Sequence, residues 1–412
     1  MLSRRFFLRN SALAMFGVGS APGWLARAVY GQNLPATRKR ILIAIFQRGA
    51  VDGLNMVVPH GDPAYYAARP SIAIPKPGIS EGSALDLDGY FGLHPSLAGL
   101  KPLWDKKQLA IVEACGSPDA TRSHFDAQDY MESGTPGVKA TPDGWLNRAL
   151  PSEVPSSPIR AVSMTADLPR CLRGNRPALA IENLNTFKIA DDRMTGAFET
   201  MYRNAADPVL SNTGRETFEA VRMMQAVEGQ TYTPANGAAY PAGRLGQSLK
   251  QIARLIKADV GLEVAFTDVG GWDTHVNEVG DQPHLGHLAN LLRNFGDSLA
   301  AFSQDMGDRM EDITLVTMSE FGRTVRENGD RGTDHGHANV MFVLGGTVKG
   351  GRIAGNWPGL APEQLYEGRD LVVTTDFRDV LSELITRQMQ NHNLAAVFPG
   401  HRSTSVLGLL SV

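Results

Sequence analysis

The chain has 412 residues, with 40 lysines and arginines against 43 aspartates and glutamates and a formal net charge of −3. So even a balance excludes the broad electrostatic attraction that draws proteins to nucleic acid or anionic lipid, and any partner must be recognised locally. The length and the 42% hydrophobic content suffice for one large α/β domain or two smaller ones.

In chain order the first element is a leader. Ser3, Arg4, Arg5, Phe6, Phe7, Leu8 and Arg9 run into a modest apolar stretch from Ala12 to Leu25, and Ala26-Arg27-Ala28 supplies the small-x-small pattern that a signal peptidase cuts. The arginine pair matches the twin-arginine export signal. Residues 1–28 are therefore expected to engage the twin-arginine machinery and leave a periplasmic or secreted chain, cleaved after Ala28, with no transmembrane anchor.

The mature part opens with Ile41 to Phe46, a short β-branched run that reads as a buried strand and ends in Arg48-Gly49-Ala50-Val51-Asp52-Gly53. Leu109 to Ala114 is a second strand, followed by a loop and a helix expected over Thr121 to Met131. Leu262 to Thr267 runs into Gly270-Gly271-Trp272-Asp273, Ile313 to Thr317 into Ser319-Glu320-Phe321, and Val340 to Leu344 follows Asp334-His335-Gly336-His337. Further helices are expected over Pro283 to Met310, broken near Gly296, and over Asp376 to Gln390. Strands alternating with helices argue for α/β architecture: a mostly parallel central sheet with helices on both faces. The domain spans 38–412, and 183–259 reads as an inserted helical cap carrying helices over Thr217 to Val227 and Leu245 to Ala258. Pro151 to Pro158 reads as a surface connection. Cys115 and Cys171 are either one disulfide or two buried thiols.

Polar side chains cluster where apolar strands end, and open parallel sheets bind ligands beside those ends. Asp52, the Ser117 to His124 loop, Asp273, His275, Glu320, His335 and His337 are expected to converge there. Carboxylate oxygen with imidazole nitrogen suits a divalent cation. Each residue also has a plainer role: Asp52 as a turn residue, Asp273 and His275 in a capped turn, Glu320 as a helix cap or a partner of Arg323 or Arg326.

Five motifs, Arg48-Gly-x-x-Asp52-Gly-Leu-Asn55, Arg122-Ser-His-Phe-Asp-Ala-Gln128, Gly271-Trp-Asp-Thr-His275, Ser319-Glu-Phe-Gly-Arg323 and Asp334-His-Gly-His337, resemble the bacterial domain-of-unknown-function 1501 family over nearly the whole mature chain. The resemblance implies an alkaline-phosphatase-like fold, related to sulfatases and cofactor-independent phosphoglycerate mutases. It also implies metal-assisted hydrolysis of phosphate or sulfate esters, on a small molecule or a polymer. By that likeness Asp52 and Glu320 serve one cation, while Asp273, His275 and His335 or His337 serve a second. The ions would be one or two of zinc, manganese, magnesium or calcium. Ser123, at the start of a helix closing at Ser133-Gly134, takes the nucleophile's place, with Thr121 and Ser117 as alternatives. Arg122 would steady the substrate's oxygens and His124 would move a proton; alternatively Arg122 pairs with Asp126 and His124 packs structurally. Ser319-Glu320-Phe321 departs from the Asp-His of phosphatases and the Asp-Asn of sulfatases. The sulfatase Cys-x-Pro-x-Arg signature is missing, because Cys115 is followed by Gly-Ser-Pro. A non-catalytic exported binding or scaffold protein is the other expectation, since fold does not establish function.

Overall fold

The apolar runs form the strands expected of them. β1 (Ile41–Gln47) and β2 (Leu109–Gly116) are buried along their whole lengths. The short β3 (Ala161–Ser163) and β4 (Leu179–Ala180) follow, then β5 (Val264–Val269), β6 (Ile313–Ser319), β7 (Asn339–Gly345), β8 (Arg352–Ala354) and β9 (Thr375–Asp376). The computed structural model describes residues 40–151, 157–184, 219–223, 227, 232–403 and 405–411. The leader and most of the 183–259 insertion lie outside the described residues; of the helix expected over Thr217 to Val227, residues 219–223 and 227 are described and are helical.

These strands make one sheet in the order β8-β2-β7-β6-β1-β5-β3-β4, with β9 also pairing with β2. β1 lies parallel to β5 on one side and to β6 on the other, Ile43 facing Ala265 and Leu315. β7 alone is antiparallel, both to β2 and to β6. The α/β class with a mostly parallel sheet thus holds, with one reversed strand near its middle.

Alternate residues of a strand point to opposite faces, and here both faces are covered. Ile41, Ile43 and Ile45 join one core cluster with α2 (Arg244–Lys257) and α3 (His287–Met306), through residues such as Leu249, Ile252, Leu292 and Phe295. Leu42, Ala44 and Phe46 join the other cluster with Met131 of α1 (His124–Ser133) and with Phe377, Leu381 and Ile385 of α4 (Phe377–Gln388). Each such side chain withdrawn from water contributes about 1.5–3 kcal/mol, so the two-faced core is the main stabilising term.

Two expectations need correction. The helix over 245–258 is part of the layer on the sheet and not of a cap, because its apolar face is buried in the first core. The helix over 283–310 is not broken at Gly296. A Cβ there would come within 3.0 Å of Leu97 Cδ2, so glycine marks a close approach to the segment Pro95–Leu100 inside a continuous α3. Cys115 and Cys171 are both free, buried thiols. No helix among the described residues is long and apolar enough to cross a membrane.

Candidate metal centre

The reversed strand explains how the loops meet. The loops that follow β1, β2, β5 and β6 leave from the carboxyl edge of the sheet, and β7, running the other way, begins at that same edge. Asp334 to His337, which precede β7, are therefore delivered beside Asp273 and Glu320.

Three imidazoles and one carboxylate converge there. His335 Nε2 lies 2.9 Å from His124 Nε2 and 2.9 Å from His275 Nε2. Asp273 Oδ1 is 3.0 Å from His275 Nε2 and 3.3 Å from His335 Nε2, while its Oδ2 is 3.5 Å from His124 Nε2. Among the described residues, His124, Asp273 and His335 form a group compact enough to hold an ion.

The opposite ring nitrogens fix the chemistry of this group. His335 Nδ1 faces the Arg122 carbonyl at 2.9 Å, and a carbonyl only accepts, so Nδ1 carries the proton. His124 Nδ1 donates to Glu320 Oε1 at 2.8 Å, and His275 Nδ1 to Asp334 Oδ1 at 3.1 Å. Neutral rings so held turn three Nε2 lone pairs toward one another beside a carboxylate, which is unfavourable unless a cation or a proton stands between them. Imidazoles whose far nitrogen is held by a carboxylate or carbonyl are the usual outer dressing of a metal ligand. The donor set suits a borderline ion such as zinc. The Asp273 and His275 side chains are 46% and 38% exposed, so the cluster is open to a small molecule.

Electrostatics agree with ionised acids around it. Burial would raise the Asp273 carboxyl, but the Arg323 hydrogen bond at 2.7 Å and the Arg323 charge hold it below the usual carboxylate range. Burial likewise opposes the charge on Glu320, yet donors from His124, Gln128 and the Gly49 amide keep its carboxyl low. The Glu320 hydrogen bond raises His124, whereas burial and the neighbouring His124 lower His335.

Several expected residues do other work. Asp52 is fully buried and binds the Arg69 guanidinium through both oxygens, so the acid expected to hold a cation is neutralised by an arginine. Glu320 pairs with neither Arg323 nor Arg326; it is enclosed by His124, Gln128, Gly49 and Ser319 and orients His124 instead of facing the cluster with its own oxygens. His337 is turned away: its Nε2 donates to the Ser117 carbonyl at 3.0 Å and its ring packs on Tyr366. Arg122 binds Asp370 at 2.7 Å and Glu367 at 2.8 Å, so its guanidinium is neither free to clamp a substrate nor paired with Asp126, which takes Lys139. His124 joins the cluster itself, and its ring also packs on Phe321. Ser123 caps α1, its Oγ accepting from the Asp126 amide at 3.5 Å. Ser117 Oγ and Thr121 Oγ1 accept from the amides of Asp119 and Ser123.

Arg323 holds these loops together and was not singled out by its residue type. Buried at 2% exposure, it donates to the carbonyls of Ala50, Gly49, Trp272 and Thr333 and to Asp273. Its place in the Ser319-to-Arg323 motif was the one available signal.

An open α/β sheet with a histidine–aspartate cluster at its ligand edge is thus the class of molecule. The chain belongs to the family described as "Protein of unknown function (DUF1501)", whose model matches residues 104–398. No curated protein matches the sequence. Among solved structures, the zinc complex of the C-terminal periplasmic domain of EcEptC from Escherichia coli is similar at 11% identity and a TM-score of 0.33, covering 76% of this chain and 74% of that one. PsFucS1 sulfatase from Pseudoalteromonas sp. is similar at 12% identity and 0.33, covering 81% and 68%. Phosphonate monoester hydrolase of Agrobacterium radiobacter is similar at 10% identity and 0.34, covering 89% and 79%.

Proposed function

We propose that this protein is an exported, metal-dependent hydrolase of phosphate or sulfate esters, with His124, Asp273, His275 and His335 as the residues that hold a divalent cation. One observation carries this reading: the facing Nε2 atoms at 2.9 Å beside Asp273, each imidazole held from behind by an acceptor. A bound cation would supply polarisation of an ester oxygen and charge neutralisation in the transition state.

The chain's own residues account for the rest. Ser123 sits directly before His124 at the amino end of α1, where the helix dipole favours an oxyanion. Its Oγ attacks phosphorus or sulfur, the alcohol departs with the seryl proton, and water cleaves the seryl ester to release phosphate or sulfate. Arg323 keeps Asp273 ionised and aimed, and Glu320 orients His124. With Asp52 committed to Arg69, a single cation is the simplest complement. Residues 1–28 direct export by the twin-arginine route to the periplasm or beyond, and the exported chain begins after Ala28.

The test combines metal analysis of purified protein with turnover of phosphate and sulfate esters. Wild type is expected to hold about one equivalent of divalent metal. Asp273→Ala loses metal and turnover; Ser123→Ala keeps metal and loses turnover. Wild type with neither metal nor turnover would overturn the proposal and favour the other reading, a non-catalytic binding protein. The arginine neutralising Asp52 and the capping role of the Ser123 hydroxyl are what speak for that alternative.

A further inference from the structure

Glu278 belongs to none of the motifs that mark the site, yet it is fully buried beneath it. It stands three residues beyond His275 and reaches both loops that bear the cluster. Its Oε2 accepts from Thr274 Oγ1 at 3.1 Å and from Thr333 Oγ1 at 2.9 Å. Thr274 lies between Asp273 and His275, and Thr333 is two residues before His335. The backbones of the same loops are stitched alongside: Asn277 N–H to the Asp330 carbonyl, Glu278 N–H to the Arg331 carbonyl, Thr333 N–H to the Thr274 carbonyl. The approach is so close that a Cβ on Gly332 would fall 2.2 Å from the His275 carbonyl oxygen.

We infer that Glu278 is a positioning residue of the cluster: one carboxyl oxygen, shared by two threonine hydroxyls, sets the spacing between the Asp273–His275 loop and the His335 loop. This rests on the hydrolase reading for its purpose, but not for its geometry. The second oxygen, Oε1, has no hydrogen-bond partner among the described residues, and the Asp52 carboxylate acts on it electrostatically. Burial and the Asp52 charge push the Glu278 carboxyl well up, which favours its protonated form beside Asp52. A glutamine meets the same demands, its oxygen accepting from both threonines and its uncharged amide standing beside Asp52. An alanine leaves both threonine hydroxyls without their acceptor, and the two loops keep only their backbone stitching.

The experiment uses the full exported chain and zinc ion alone as probe, with binding followed by competition against a chromophoric chelator. Glu278→Ala is expected to weaken zinc binding about tenfold and Glu278→Gln to stay within about twofold of wild type, as for residues that orient ligands without touching the metal. Thr274→Val and Thr333→Val each remove one arm and serve where Glu278→Ala fails to fold; each is expected to weaken zinc binding by several-fold. Zinc binding unchanged in folded Glu278→Ala, or equally poor in the glutamine and alanine variants, would overturn the inference. Histidine side-chain nitrogen resonances of the metal-free protein separate it from the hydrolase proposal. Shifts at His275 and His335 in Glu278→Ala but not in Glu278→Gln uphold the positioning role even if wild type neither binds zinc nor turns over an ester.

Discussion

Replacing Arg69 with methionine tests the buried network most directly. Arg69 is fully buried and holds both oxygens of Asp52 with its two terminal nitrogens, besides Asn55 and the carbonyls of Thr324 and Val325. Methionine fills much of the volume but leaves Asp52 charged, dry and beside Glu278. Breaking a buried pair in this way costs about 3–5 kcal/mol. Over 412 residues, an unfolding entropy of roughly 2.1 cal/mol/K per residue converts that to a melting point lower by roughly 3–6 °C. The assay is thermal and urea unfolding at several pH values, because the loss carries a sign. Burial alone would raise the Asp52 carboxyl, and Arg69 holds it below its ordinary value. In wild type the Asp52 contribution is present above the unfolded value of about 3.9 and fades as pH falls through the lower folded value. Without Arg69 the folded value rises, so Asp52 takes up a proton on acidification and the gap between variant and wild type narrows. Methionine together with Asp52→Leu is expected to recover most of the loss, as apolar replacements of buried pairs do. A variant within about 0.5 kcal/mol of wild type at neutral pH, or a gap that widens on acidification, would refute the role given to Arg69.

Glu320→Ala removes the acceptor behind His124 and is expected to weaken zinc binding about 10–100-fold, read by calorimetry, and to cost about 1–3 kcal/mol of stability because the Gly49 amide and Gln128 lose their buried acceptor. Gly332→Ala must push its loop away from the His275 carbonyl, at a cost of about 1–3 kcal/mol in urea unfolding, and weakens zinc binding as well. Glu278→Gln removes a carboxyl that burial keeps protonated; its stability relative to wild type is expected to rise as pH climbs above the ordinary glutamate value of about 4.3, where the wild-type fold increasingly suffers from holding that proton. Cys115 and Cys171, buried with thiols pushed up by desolvation, are expected to resist a disulfide reagent in the native protein and both react after denaturation.

Periodicity carried the sheet well, because a strand buried on both faces must be apolar throughout, and the runs at 41–46, 109–114 and 313–317 could be little else. It missed the direction of β7, which depends on where the chain re-enters the sheet and leaves no mark in β7 itself. The cluster was legible in the residues Asp273, His275 and His335, whose chemistry is rare in exposed glycine-rich loops. Asp52 and Glu320 misled for a shared reason. A buried acid after a strand has the same letters whether a cation, an arginine or a set of hydrogen-bond donors satisfies it, and the partner of Asp52, Arg69, comes from a separate loop with no motif around it. Glu278 and Arg323 act through hydrogen bonds to distant backbone and hydroxyl groups, so their roles emerge only when the loops are seen together.

The reversed β7 turns the stretch from Glu320 to Ala338 into an excursion whose two ends are pinned side by side, at the end of β6 and the start of β7. Chain inserted or deleted near 328–331, at its outer bend, would leave the ladder pairs of both strands where they are while relocating His335. The scaffold and the reach of the pocket can therefore diverge independently among relatives, with one hairpin-like loop absorbing the change.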